Sequence, residues 1–182
     1  YGSYQGEPVE WRVLDKKDRE ILLLSEYGLD AQPFDTSGKS RVDWKDSTIR
    51  KWLNDDFYNS AFSEKEKENI VESKSEGFEE YNTSMNLTGG GKPYAYLERE
   101  IEDKVFLLSN TELCAYFSED PYPGCYSDPY AHKELLCYPT AYAKQQLETR
   151  YQTETCGWWL CNHVYEDDSV ELVSAYGQGS GT

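Results

Sequence analysis

No stretch of this sequence reads as a membrane span. Apolar runs such as Ile21-Leu22-Leu23-Leu24 are strand-sized, far short of the roughly 20 residues that cross a bilayer as a helix. Histidine is nearly missing. Only His132 and His163 are present, so no zinc-finger spacing is available. Basic residues are scarce: 18 Lys and Arg stand against 34 Asp and Glu, a formal net charge of −16 with a pI near 4.5. Such a surface repels phosphate backbones and anionic lipid, which excludes nucleic acid and an acidic membrane as expected partners. The five cysteines are an odd number, so at least one is unpaired within the chain. No secretory signal is visible, and because the chain begins at Tyr1 rather than Met that observation excludes nothing.

What the chain has in plenty is aromatic area. It carries 16 Tyr, 6 Phe and 5 Trp, and each ring buries far more surface than an alanine. They offset a mean hydropathy of −0.81 and a hydrophobic fraction of 38%, so a folded chain is expected despite the charge. A length of 182 residues fits one domain, which at this size buries about 70% of the unfolded surface. The densest stretch is Cys156-Gly157-Trp158-Trp159-Leu160-Cys161. Adjacent tryptophans in a strand place one indole on each face, so this strand is expected to be buried on both sides.

Along the rest of the chain, Val9, Trp11 and Val13 alternate with Glu10 and Arg12 until Leu14 breaks the pattern. Lys16-Lys17-Asp18-Arg19 is a polar turn and residues 21–24 an apolar strand, which predicts a hairpin over 7–25. Residues 28–45 read as a surface loop. Asp46 or Ser47 caps a helix with Ile49, Trp52 and Leu53 on its apolar face. Ser63 with Glu66 has the form of a capping box and opens a second helix over 64–71.

Residues 72–102 are polar. Their Gly89-Gly90-Gly91-Lys92 run lacks phosphate-loop spacing and is followed by Pro93, so it reads as a loop. Two Asn-X-Ser/Thr patterns, at Asn82 and Asn86, matter only in a secreted eukaryotic context. A strand is predicted over 104–109, and a helix over Asn110–Phe117 opened by a capping box of Ser109 and Glu112. A Pro- and Tyr-rich loop over 118–138 leads to a helix over 141–147 behind Pro139-Thr140. Val170–Val173 is one more strand, and the tail from Gly177 reads as loop. First and last strands are expected to share a sheet. The whole of 1–182 is therefore a single α+β domain, with short helices packed on antiparallel sheets and long loops.

Several of these motifs, in this order, resemble an uncharacterised domain family common in gut-type anaerobic bacteria. They are Trp11-Arg12-Val13-Leu14-Asp15, Ser47-Thr48-Ile49-Arg50-Lys51-Trp52-Leu53-Asn54 and Lys104-Val105-Phe106-Leu107-Leu108-Ser109. Pro139-Thr140-Ala141-Tyr142-Ala143 and Trp158-Trp159-Leu160 complete the set. That family is similar in fold to C-type-lectin-like proteins and to the sulfatase-modifying factors, the formylglycine-generating enzymes. The sequence departs from the family where Trp-Trp-Leu is usually followed by Arg-Ser-Pro-Gly and Cys161-Asn162-His163-Val164 stands instead. The family's closing Gly-Val-Arg-Pro-Ala segment is also not reached by Thr182, so a last C-terminal segment is expected to be missing.

The resemblance implies, as one possibility, an oxidase-like enzyme using a cysteine pair. Cys156 and Cys161 are spaced compatibly with a redox or copper site. Five positions along a strand nevertheless point two side chains to opposite faces unless the chain bends at Gly157. Cys161 and His163 share a face, but no third group orients them, and a surface histidine beside a buried thiol is the plainer reading. Cys125 and Cys137 flank the Pro/Tyr loop, which a disulfide could close; free buried thiols are the commoner alternative.

No cofactor is expected. The alternative is calcium on the acidic run Glu166-Asp167-Asp168, with Asp167 and Asp168 as ligands and Asn162 nearby, although the spacing matches no EF-hand and a solvated turn explains it as well. The remaining candidate is a binding surface. The loops after the tryptophan strand and after Val173 are rich in Asn, Tyr, His, Ser, Gln and Gly, a composition like that of antibody paratopes. The expected function is a non-enzymatic ligand-binding or accessory domain of a bacterial surface or secreted protein, extracellular or at the cell surface, with a glycan or protein ligand. Its contacts would be Asn162, His163, Tyr165, Glu166, Asp167, Asp168, Tyr176 and Gln178. The cysteine-dependent enzyme is the alternative, and a structural spacer domain the second.

Overall fold

The computed structural model describes residues 1–73, 101–117, 133–147, 153–163, 169–177 and 179–181, with backbone alone at Asn110, Thr111, Cys114, His163 and 179–181. The glycine-lysine run, the two Asn-X-Ser/Thr patterns, most of the Pro/Tyr loop and Cys125 lie outside the described residues.

The expected hairpin forms. Strands β1 (Ser3–Tyr4) and β2 (Glu7–Pro8) pair through a turn in which Gln5 and Gly6 take positive φ. Strand β3 (Trp11–Lys17) then pairs antiparallel with β4 (Glu20–Ser25). The register slips between Val13 and Asp15, which makes Leu14, where the alternation breaks, an extra residue in a β-bulge. A short parallel contact joins β5 (Tyr27–Gly28) to β6 (Tyr138–Pro139). The final sheet runs β7 (Trp158–His163), β8 (Val170–Val173) and β9 (Gly179–Gly181), all antiparallel.

Helices are short and capped as their sequences specify. Ser47 caps α1 (Thr48–Trp52), its Oγ accepting from Arg50 N at 3.3 Å. One π-helical turn at Leu53–Phe57 carries the chain into α2 (Tyr58–Ala61). Helix α3 (Glu64–Lys67) stops earlier than its predicted end at 71. The capping box of α4 (Asn110–Phe117) is reciprocal: Ser109 N donates to Glu112 Oε2 at 2.7 Å and Glu112 N to Ser109 Oγ at 3.1 Å. Thr140 caps α5 (Ala141–Gln146), accepting from Ala143 N at 3.1 Å.

The core has three clusters. One gathers Leu108, Leu113, Leu135, Leu160 and Val173, with Leu14, Leu24 and Trp158 against it. A second is built on Phe34, Trp44, Ile49 and Cys161, with Trp159 and Val170. The third holds Phe57, Tyr58, Ala61 and Phe62 under Tyr4 and Trp11. The two indoles of β7 thus enter different clusters, as adjacent strand positions require. Each also finds a carbonyl: Trp158 Nε1 donates to Leu135 O at 3.1 Å and Trp159 Nε1 to Gln32 O at 3.0 Å.

Four expectations are corrected. The first and last strands do not share a sheet among the described residues; β3–β4 meets the final sheet through side chains, Leu14 and Leu24 packing on the Leu160–Val173 cluster. Residues 104–109 form no strand ladder among the described residues, and at the start of the segment a side chain takes the backbone polar groups. Asn54 Oδ1 accepts from Lys104 N (3.0 Å) and Val105 N (3.2 Å), and its Nδ2 donates to Val105 O (2.8 Å). The 28–45 segment is not wholly at the surface, since Phe34 and Val42 are buried and a 3₁₀ turn at Trp44–Asp46 seats Trp44 in the core. The tail is not all loop. Gly179–Gly181 adds an edge strand to β8, held by backbone pairing that side-chain patterning cannot signal.

One buried carboxylate ties the middle of the chain together. Asp103, 3% exposed, accepts from Trp44 Nε1 at 2.9 Å and from Arg50 Nε at 2.8 and 3.1 Å, while its backbone pairs with Ser73. Removing one partner of such a pair leaves the other's polar groups buried without their acceptor. Asp103→Ala is therefore expected to cost about 3 kcal/mol in urea unfolding; a loss below about 1 kcal/mol would show that the network is incidental.

At the N-terminus, Glu66 accepts from Ser63 N at 2.9 Å, Ser63 Oγ at 2.6 Å and Gly2 N at 2.7 Å. The Ser63 hydroxyl first, then the Gly2 amide, lower its carboxyl from an ordinary 4.5 to about 2. A depressed carboxyl contributes stability that is whole above pH 4.5 and disappears as the pH falls through about 2. Glu66→Gln should lower Tm at neutral pH, and the gap to wild type should close on acidification across that window. A gap that does not change with pH would contradict the assignment.

Candidate functional site

The loops proposed for binding are carried by β7, β8 and β9, so the site begins with how that sheet is held. Strand β7 pairs Trp158 with Val173 and Trp159 with Leu172, but then His163 with Val170. More residues intervene on β7 than on β8, so the ladder is interrupted there. In that interval Leu160, Cys161 and Asn162 lie in the interior at 0%, 4% and 2% exposure. Cys161 N reaches across to Leu108 O at 3.0 Å, which docks β7 on the 104–109 segment.

The predicted contacts separate on this frame. Asn162 is an interior residue whose Oδ1 accepts from the Cys161 thiol at 3.7 Å. His163 is placed by its backbone at the end of β7. Tyr165, Glu166, Asp167, Asp168 and Gln178 lie outside the described residues. Tyr176 is the residue the structure presents outward, at 72% exposure. It sits on the turn after β8, where Gly177 N donates to Ser174 O at 2.9 Å and Gly177 adopts φ +74°. A turn closed by a residue at positive φ suits glycine and matches the twist of a hairpin. Thr155 Oγ1 donates to Ala175 O at 2.6 Å and braces the turn from the start of β7.

The candidate cysteines sit in different surroundings. Cys161 packs with Phe34, Trp44 and Ile49. Cys156 lies instead beside Cys137, opposite it in an isolated antiparallel bridge closed by Cys156 N donating to Cys137 O at 2.8 Å. Both sulfurs crowd Gly28: a Cβ there would stand 2.9 Å from Cys156 Sγ and 3.4 Å from Cys137 Sγ. The hydrogen bond between the thiols, and after it burial, pushes Cys137 upward, while the same hydrogen bond lowers Cys156. Spacing along the chain carries no sign of this pair, because the two cysteines are separated by the whole of β6 and α5.

Among the described residues no group of three His, Cys, Asp or Glu side chains is placed to share a metal ion. No helix among them is long and apolar enough to cross a membrane. A hollow over the start of α1, lined by Lys45, Arg50, Lys51 and Asp55 among others, opens widely to solvent and touches none of the candidate residues.

The profile of the domain of unknown function DUF6273 matches residues 18–182. The chain belongs to the DUF6273 family. No curated protein and no solved structure matches it. The DUF6273 match takes in every element from β4 onward, including the three-stranded sheet and its exposed turn. Its description carries no activity, so the chemistry of this DUF6273 domain has to be argued from its own geometry.

Proposed function

We propose that this domain is a non-catalytic recognition module, a ligand-binding or accessory domain of a bacterial surface or secreted protein with a C-type-lectin-like or sulfatase-modifying-factor-like architecture. The observation that carries the reading is Tyr176, an aromatic side chain 72% exposed on a turn closed by the Gly177–Ser174 backbone hydrogen bond and braced by Thr155. Tyrosine offers a large amphipathic contact with only two rotatable side-chain angles, so it anchors a ligand at low entropic cost. Large exposed aromatics on a rigid support are the commonest energetic centres of recognition surfaces.

In this reading Tyr165, Glu166, Asp167, Asp168 and Gln178 supply further polar contacts to the ligand. Asn162, being interior, acts by holding the end of β7 rather than by touching ligand. With a net charge of −16, long-range electrostatics attract a basic protein surface, leave a neutral glycan unopposed and repel a polyanion. The ligand is expected to bind without a metal, and calcium on Asp167 and Asp168 is the variant of this reading that chelation would expose.

The test is a screen of the domain on glycan and protein arrays, followed by titration of the best ligand with Tyr176→Ala. Loss of a centrally placed tyrosine should weaken binding by at least tenfold, about 1.4 kcal/mol, with Tm unchanged. Unchanged affinity would overturn this binding face.

A further inference from the structure

Cys137 and Cys156 are held opposite each other by backbone, not by chance contact of flexible side chains. Directly opposed residues of an antiparallel pair have Cα atoms about 4.5–5.5 Å apart, inside the 4.4–6.8 Å window that a disulfide needs. The bridge hydrogen bond at 2.8 Å fixes that opposition. Both sulfurs converge on the space left by Gly28, which lacks the side chain that would part them. Cys137 is half-buried and Cys156 buried, so the pair is shielded but reachable from the Cys137 side.

We infer that Cys137 and Cys156 form a reversible disulfide, made by exchange with a second disulfide, that staples the start of the tryptophan strand to the β5–β6 pair. In the first step a thiolate of the pair attacks one sulfur of the incoming disulfide. That S–S bond breaks, a mixed disulfide forms and one thiolate departs. The remaining cysteine, deprotonated, attacks its neighbour's sulfur and expels the second thiolate. The two protein protons end on the two expelled thiolates. The protein loses two electrons, and the incoming disulfide gains them.

The hydrogen bond between the thiols assists this exchange, because it lowers Cys156 and so helps it ionise. Cys161 takes no part, since its thiol packs in the Phe34–Trp44–Ile49 cluster and points to Asn162. The staple would close the segment 138–155 into a loop whose far end, at Thr155, braces the Tyr176 turn.

The experiment exposes the native chain to oxidised glutathione, blocks remaining thiols with N-ethylmaleimide and maps cross-linked peptides by mass spectrometry. The expected result is a Cys137–Cys156 cross-link that dithiothreitol reverses. Tm should rise by about 5–10 °C on oxidation, as loop closure of this length predicts. Cys137→Ser and Cys156→Ser should each abolish that rise, and if either fails to fold the wild-type peptide map still decides. The inference is overturned if both cysteines remain alkylated, if glutathione stays attached as an unresolved mixed disulfide, or if Cys137 cross-links to Cys125 instead.

Discussion

Strand β7 packs side chains into the core from both of its faces. Trp158 and Leu160 enter the cluster with Leu108, Leu135 and Val173, while Trp159 and Cys161 enter the cluster with Phe34, Trp44 and Ile49. A strand packed on both sides has to be covered by two separate layers, and both layers draw on the first third of the chain. The first hairpin contributes Leu14 and Leu24 to one, and the 34–53 region supplies the other. The burial of two indoles, each with its N–H satisfied by a backbone carbonyl, is what makes short elements sufficient. Each element alone is too short to persist in water, and packing onto the tryptophan strand stabilises them together.

Around that strand, side chains do much of the work that ladders do elsewhere. Asn54 accepts from the Lys104 and Val105 amides and donates to the Val105 carbonyl, in place of a neighbouring strand. Asp103 gathers Trp44 and Arg50, binding the segment before β7's neighbour to the first helix. This arrangement satisfies buried backbone groups without regular structure. It also concentrates stability in a few polar residues whose loss has no local substitute.

Much of this was legible in residue order. Period-two alternation marks the first hairpin, and Ser47, Ser109 and Thr140 mark helix starts, because caps and pleats are local rules; the break at Leu14 reads as a strand end but is a bulge, and the strand runs on to Lys17. What stayed hidden is non-local. Nothing near Asn54 says that its amide will stand in for a strand at 104–105, and Gly179–Gly181 joins a sheet without any side-chain pattern. The candidate site shows the same division. The pairing of Cys156 with Cys137 depends on a backbone bridge and on space at Gly28, whereas the Cys156–Cys161 spacing that attracts the eye joins two cysteines in different surroundings. Asn162 read as a loop contact because polar residues at strand ends usually are; the interrupted ladder of β7 places it inside instead.

The proposed recognition role rests on this construction. A turn can present an aromatic side chain usefully only if the strands behind it do not yield, and the strands behind Tyr176 are β8 and β9 backed by β7. The claim that β7 is the wall on which both layers depend is tested most directly by native-state hydrogen exchange at the Cys161 amide, which donates to Leu108 O at 3.0 Å. That amide should exchange only through global unfolding, with a free energy equal to the one measured by urea denaturation. Exchange through a local opening that costs much less than global unfolding would contradict the account.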